Sequence, residues 1–139
     1  MKFLLDTCVV SEFTKLTPNS KVIEWLRQCD QSSLYLSSIT VGELSKGIAK
    51  LDEGKKKLEL SKWLNDDLRV RFSDRIISLD VDVMMGWGII CGSLEKSGLS
   101  VPVMDSLIAA SAIAYDLILV TNNVNDFKNM NVKLHNPWN

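Results

Sequence analysis

Residues 102–127 read PVMDSLIAASAIAYDLILVTNNVNDF. The span from Met104 to Tyr115 is rich in Ala and apolar nearly all round, which predicts a helix buried in the interior. Leu117 to Val120 follows as a short continuous apolar run, and polar Thr121-Asn122-Asn123 closes it. Such a run reads as a strand buried on both faces. A buried helix leading into a buried strand is half of an α/β unit, and the rest of the chain repeats the theme.

Lys2 to Leu5 reads as a first strand and Thr7 to Thr14 as the helix after it. A second helix follows Pro18-Asn19-Ser20, with Val22, Ile23 and Leu26 at helical spacing. Leu34 to Leu36 is a second strand. Thr40-Val41-Gly42-Glu43 has the form of a capping box opening a helix. Glu53 to Leu68 reads as a charged amphipathic helix carrying Leu58, Leu60, Trp63, Leu64 and Leu68. Ile76 to Leu79 is a third strand. Asp82 to Lys96 is a helix that Ser97-Gly98 terminates. Val132 to Leu134 is a last edge strand. The alternation predicts an α/β fold, with residues 1–139 forming one domain around a mostly parallel sheet of four or five strands flanked by helices.

A hydrophobic fraction of 46% with 24% charged residues is that of a globular protein and excludes disorder. The net charge of −1 excludes a generally basic nucleic-acid binder, so any RNA-binding surface has to be a local patch. Cys8, Cys29 and Cys91 are odd in number and widely spaced, which predicts free thiols in a reducing compartment. The apolar run at Phe3-Leu4-Leu5 is too short for a signal peptide, and no run approaches the ~20 residues of a transmembrane helix. A soluble cytoplasmic protein with no membrane association is expected.

The chemistry lies in where four acids fall. Asp6 ends the first strand, Glu43 lies in the first turn of the helix after the second strand, Asp105 opens the Ala-rich helix, and Asp126 follows the fourth strand. Ligands of doubly wound sheets bind beyond the carboxyl ends of the strands, where all four acids are expected. Converging carboxylates repel one another, and a hard divalent cation such as Mg²⁺ or Mn²⁺ offsets that repulsion. Taken singly, an acid at a helix start is equally well a cap or a dipole partner. Lys46 and Lys50, at i+3 and i+7 from Glu43, either meet RNA phosphates or form a solvated face with an ion pair. His135 is the lone histidine, and no Gly-rich phosphate loop or nucleophile elbow is present, so histidine-based and nucleotide-cradling chemistries are set aside.

FLLDTCVVSE at 3–12, LSSITVGELSKGIAKLDEGKKKLELSKWLNDDL at 36–68, Trp87-Gly88, the 102–127 segment and the HNPWN ending occur in one order. Together they resemble the PIN-domain ribonucleases, specifically the VapC toxins of bacterial toxin–antitoxin pairs and their FitB-like branch. The resemblance implies Mg²⁺- or Mn²⁺-dependent endonucleolytic hydrolysis of RNA. It further implies a small antitoxin that masks the site and a homodimer that joins two sites in one groove. Asp6, Glu43 and Asp105 correspond to the acidic triad, with Asp6 and Asp105 the most direct metal ligands, and Asp126 to the fourth acid. Thr121 and Asn123 match the residues that order the site by hydrogen bonds. Cys8 stands where Asn is usual, and Asn122 where Arg is frequent. The competing reading is a non-catalytic RNA- or protein-binding module of the same fold. A phosphate-receiving regulatory domain would want paired acids after the first strand and a Lys after a late one. A dehalogenase-type phosphatase would want an acid at position 8.

Overall fold

The computed structural model describes residues 1–139. Strands β1 (Phe3–Leu5), β2 (Leu34–Ser37), β3 (Ile76–Ile77), β4 (Ile118–Val120) and β5 (Leu134–His135) form one sheet in the order β3-β2-β1-β4-β5. Every pairing is parallel, with Phe3 opposite both Leu34 and Ile118. Parallel strands need crossovers, and helices supply them. These are α1 (Thr7–Ser11), α2 (Ser20–Gln28), α3 (Ser38–Ala49), α4 (Lys55–Lys62), α5 (Arg69–Arg71), α6 (Val81–Lys96) and α7 (Val103–Ala114). No helix is long and apolar enough to cross a membrane.

Alternate strand residues feed two cores. Leu4 and Leu119 join Leu107, Ile108, Ala109, Ala112 and Phe127 on the side covered by α6 and α7. Leu5 and Val120 join Val9, Val10, Val22, Leu64, Leu68 and Phe72 on the other. Both faces are buried, which is why the strands read as unbroken apolar runs. The packed side of α7 uses small Ala residues, so the helix lies close over β1 and β4. Two polar bonds fix the α6–α7 pair. Trp87 Nε1 donates to Ser106 Oγ at 2.9 Å, and Tyr115 Oη donates to the Asp80 carboxylate. Gly98, at φ +79°, takes the left-handed turn that ends α6, and the Leu99 N–H closes back on Leu94 O at 2.8 Å.

Four expectations need correction. The capping box does not form: Ser37 caps α3 through Ile39 N, while Thr40 is helical and buried and Glu43 lies a turn further in than expected. The cause is that β2 runs straight into α3, so the cap falls on the last strand residue. The strand expected over Ile76–Leu79 ends at Ile77, and the one over Val132–Leu134 is displaced to Leu134–His135. The helix expected from Glu53 begins at Lys55 and passes at Trp63–Leu68 into a π-helical turn that runs on to Arg71. Leu58 is therefore outside the core, 60% exposed, because it is out of helical phase with buried Leu64 and Leu68.

Leu119→Ala, at a site with no exposure, is expected to cost about 2–5 kcal/mol. Leu58→Ala is expected to change stability by under about 0.5 kcal/mol. Urea denaturation of the two variants measures both values.

Candidate active site

The strand order reverses between β1 and β4, and this switch point is where doubly wound sheets leave a crevice beyond the strand ends. Asp6 is fixed there from four directions. Its N–H donates to Val120 O at 3.0 Å, and its carbonyl accepts from Val9 N at 3.0 Å. Oδ1 caps α1 through Thr7 N at 2.8 Å, and Oδ2 accepts from Thr121 Oγ1 at 2.8 Å. Thr121 is buried, and its Oγ1 also accepts the Asn123 N–H at 3.0 Å. The bond from residue 123 thus comes from its backbone, and no hydrogen bond joins its side chain to the site.

Two threonines outside the sequence-based site residues lie beside Glu43, and one of them bonds to it. Thr7 Oγ1 donates to Glu43 Oε1 at 2.7 Å and lies 3.2 Å from Thr40 Oγ1. Their signal was present in the sequence, since Thr7 follows Asp6 and Thr40 precedes Glu43 by three residues. Only the topology places the two segments side by side. Asp105 is half-buried in the first turn of α7, beside the Ser106 that Trp87 holds. Asp126 is exposed in the 3₁₀ turn Val124–Phe127. Lys46 and Lys50 lie with Glu43 along one cleft, and neither forms the ion pair that a solvated helix face would give. The Arg69, Arg71 and Arg75 side chains are engaged by Asn65, by Asp67, and by Leu34 O, Arg71 O and Asp74.

Asp105 feels the charges of the other three acids. Burial pushes the Asp105 carboxyl above the usual carboxylate range, and the charges of Asp126, Asp6 and Glu43 push it further. A helix N-terminus favours a carboxylate, but here that pull is outweighed. None of the chain's ion pairs includes any of the four. No three acidic, histidine or cysteine side chains stand close enough together to hold a metal ion between them. The donor chemistry nonetheless fits a hard divalent cation, being all oxygen, anionic and unneutralised by the chain.

The sign of the Asp105 effect follows from linkage. A carboxylate with a raised folded-state pKa leaves the native state binding more protons, so its contribution to stability falls as pH rises through the carboxylate range. Metal-free Asp105→Asn is therefore expected to melt above wild type at neutral pH, with the gap closing as pH falls through that range. Thermal unfolding in chelator at neutral and acid pH measures it. A gap independent of pH would assign the gain to packing instead of charge.

A model of the PIN domain matches residues 3–133. The chain is 36% identical over 135 residues to the toxin FitB of Neisseria gonorrhoeae, spanning 97% of each chain. It is 30% identical over 135 residues to the VapC ribonuclease Y4jK of Sinorhizobium fredii, spanning 97% of this chain and 96% of that one. The crystal structure of FitAcB from Neisseria gonorrhoeae superposes with a TM-score of 0.92 at 35% identity over 98% of both chains. Asp6 at the switch point thus sits in a fold and a sequence shared along nearly the whole length with these relatives: the chain belongs to the PIN domain family.

Proposed function

We propose that this protein is a Mg²⁺- or Mn²⁺-dependent endoribonuclease and the toxin of a type II toxin–antitoxin pair. It would act in the cytoplasm on RNA and be restrained by a cognate small antitoxin protein. What supports the reading is that the charges of Asp126, Asp6 and Glu43, carried on three other segments, all act on half-buried Asp105, with no ion pair of the chain to neutralise any of the four. A binding module has no use for four unpaired carboxylates beside an anionic strand, since they would repel it.

Asp6 and Asp105 would hold the ion. When bound, it would supply Lewis acidity, making water a better nucleophile and offsetting charge at the phosphate. Asp6 is pre-oriented, because Thr7 N and Thr121 Oγ1 fix both of its carboxylate oxygens. Glu43 keeps Oε2 uncommitted while Thr7 holds Oε1, and Asp126 is exposed. These two carboxylates are left to orient the attacking water and take its proton. Water adds to phosphorus in line, the ester P–O bond breaks, and the leaving oxygen gains a proton. Thr121 and Asn123 order the site, and Lys46 and Lys50 meet the backbone of the bound strand.

The homodimer has a candidate face on α6. No charge occurs from Val83 to Leu94, and Val81, Met85 and Ile89 recur at i, i+4 and i+8 with exposures of 73%, 65% and 69%. An uncharged stripe of this kind marks an association surface. A second copy can lay the same stripe against it, as a two-fold interface requires.

Asp6→Asn and Asp105→Asn are each expected to lower kcat on RNA by at least about 100-fold, the scale for losing one group that stabilises developing charge. Added Mg²⁺ should raise the melting temperature of wild type and leave Asp105→Asn unmoved. An Asp105→Asn protein that cuts RNA like wild type would sink the assignment. Ile89→Glu is expected to convert a wild-type dimer to monomer in light scattering, and a monomeric wild type would overturn the dimer.

A further inference from the structure

A cleft of about 520 Å³ opens beside the acidic cluster, between α3 and the start of α7. Gly42, Glu43, Lys46, Gly47 and Lys50 line it along one face of α3, and Leu79 and Met104 stand on its other side. Glu43 belongs to both the cleft and the acidic cluster, and Met104 precedes Asp105, so the two are continuous.

Two helix-interior glycines, Gly42 and Gly47, lie on the α3 side of this cleft. Each helix-interior glycine destabilises a helix by about 0.8–1 kcal/mol relative to Ala. Neither Gly42 nor Gly47 has a positive φ, and a Cβ at either would meet nothing within 4 Å. The same holds at Gly86, Gly88 and Gly92 of α6, so what matters at Gly42 and Gly47 is their place in the lining of the cleft. What they do is leave the cleft open and let a ligand approach the helix backbone. Lys46 and Lys50 stand beside this opening, exposed and free of ion pairs. Opposite them Met104 and Leu79 are 53% and 37% exposed, an apolar wall in contact with solvent.

We propose that this cleft binds one nucleotide flanking the scissile phosphate, with its base on Met104 and Leu79 and its backbone phosphates on Lys46 and Lys50. The inference rests on the reading of the acids as a site of RNA hydrolysis. The charge pattern favours a nucleotide over a peptide or an apolar ligand: a cationic rim on one side matches an anionic backbone, and an apolar wall on the other matches the face of a base. A methionine thioether makes favourable contacts with aromatic rings and adapts to their shape. A base can reach the wall only when it leaves its stack, so the substrate is an unpaired strand. The two lysines also supply the local basic patch that the net charge of −1 demands.

The test uses Gly47→Leu, which fills the cleft from an open position and improves helix propensity, so the variant should melt at or above wild type. The probe is a labelled single-stranded RNA library with randomised positions. Affinity is measured in chelator by anisotropy, and cleavage is mapped in Mg²⁺ by sequencing cut ends. Gly47→Leu and the Lys46→Gln/Lys50→Gln pair are expected to weaken Kd and KM about tenfold, equivalent to about 1.4 kcal/mol. Met104→Ala should alter base preference at one position beside the cut. Unchanged Kd, KM and cut pattern in Gly47→Leu would overturn the subsite. So would a loss confined to kcat. If wild type binds the strand through the cleft and never cuts it, the hydrolytic reading falls while the subsite stands.

Discussion

The end of β1 is the constraint on which the site depends. Asp6 has its backbone in the sheet through Val120 O, its carbonyl in the first turn of α1 through Val9 N, and both carboxylate oxygens held by Thr7 N and Thr121 Oγ1. No rotamer is left to it. An acid fixed in this way cannot swing out to solvent when other carboxylates approach. The chain accepts the resulting repulsion because β1 and β4 are central strands with fully buried Leu4, Leu5, Leu119 and Val120. Core burial of that kind contributes about 1.5–3 kcal/mol for each large side chain, enough to hold a strained edge in place.

Glu12 shows that burial of an acid does not by itself make a site. It is only 3% exposed, yet its carboxylate pairs with Lys15 and accepts Asn19 N–H at 2.7 Å. The hydrogen bond from Lys15 holds its pKa below the usual carboxylate range, the opposite direction to Asp105. One acid is satisfied by the chain and staples a loop. The other is half-buried and feels three like charges, with no cation of the chain paired to it. The direction of the shift separates the structural acid from the candidate functional one.

The sequence carried the sheet because period and composition are local. Phe3–Leu5, Leu34–Ser37 and Ile118–Val120 are apolar runs flanked by turn chemistry, and each is a strand. It carried the edge of the site because Asp6 and Asp105 sit at element boundaries. It misplaced the opening of α3 because Ser37 and Thr40 are both capable caps, and the choice between them depends on how far β2 stays paired with β3. Leu58, on the same predicted helix as Leu64 and Leu68, faces solvent because it is out of helical phase with them even at regular spacing. Thr7 and Thr40 escaped notice for another reason. The bond from Thr7 to Glu43 spans 36 positions and its contact with Thr40 spans 33, and only the α1–α3 contact brings them into reach.

The two departures from the family pattern can be weighed in the same terms. Cys8 Sγ lies 3.8 Å from Asp6 Oδ2 and 3.7 Å from Thr121 Oγ1, next to the acid that an asparagine amide would otherwise face. A thiolate there would add a further negative charge to the cluster. Burial pushes the Cys8 thiol up, and the charge of Asp6 adds to that, so the group stays protonated at neutral pH. A neutral thiol is a weak donor toward Asp6 and leaves the charge of the cluster unchanged. Asn122 is exposed and removes a cation without removing a ligand. Under the proposed function, the phosphate-binding work of such a cation would fall to Lys46 and Lys50 on α3, so the path of a bound strand would be set by the helix that carries Glu43 and not by the loop that carries Thr121.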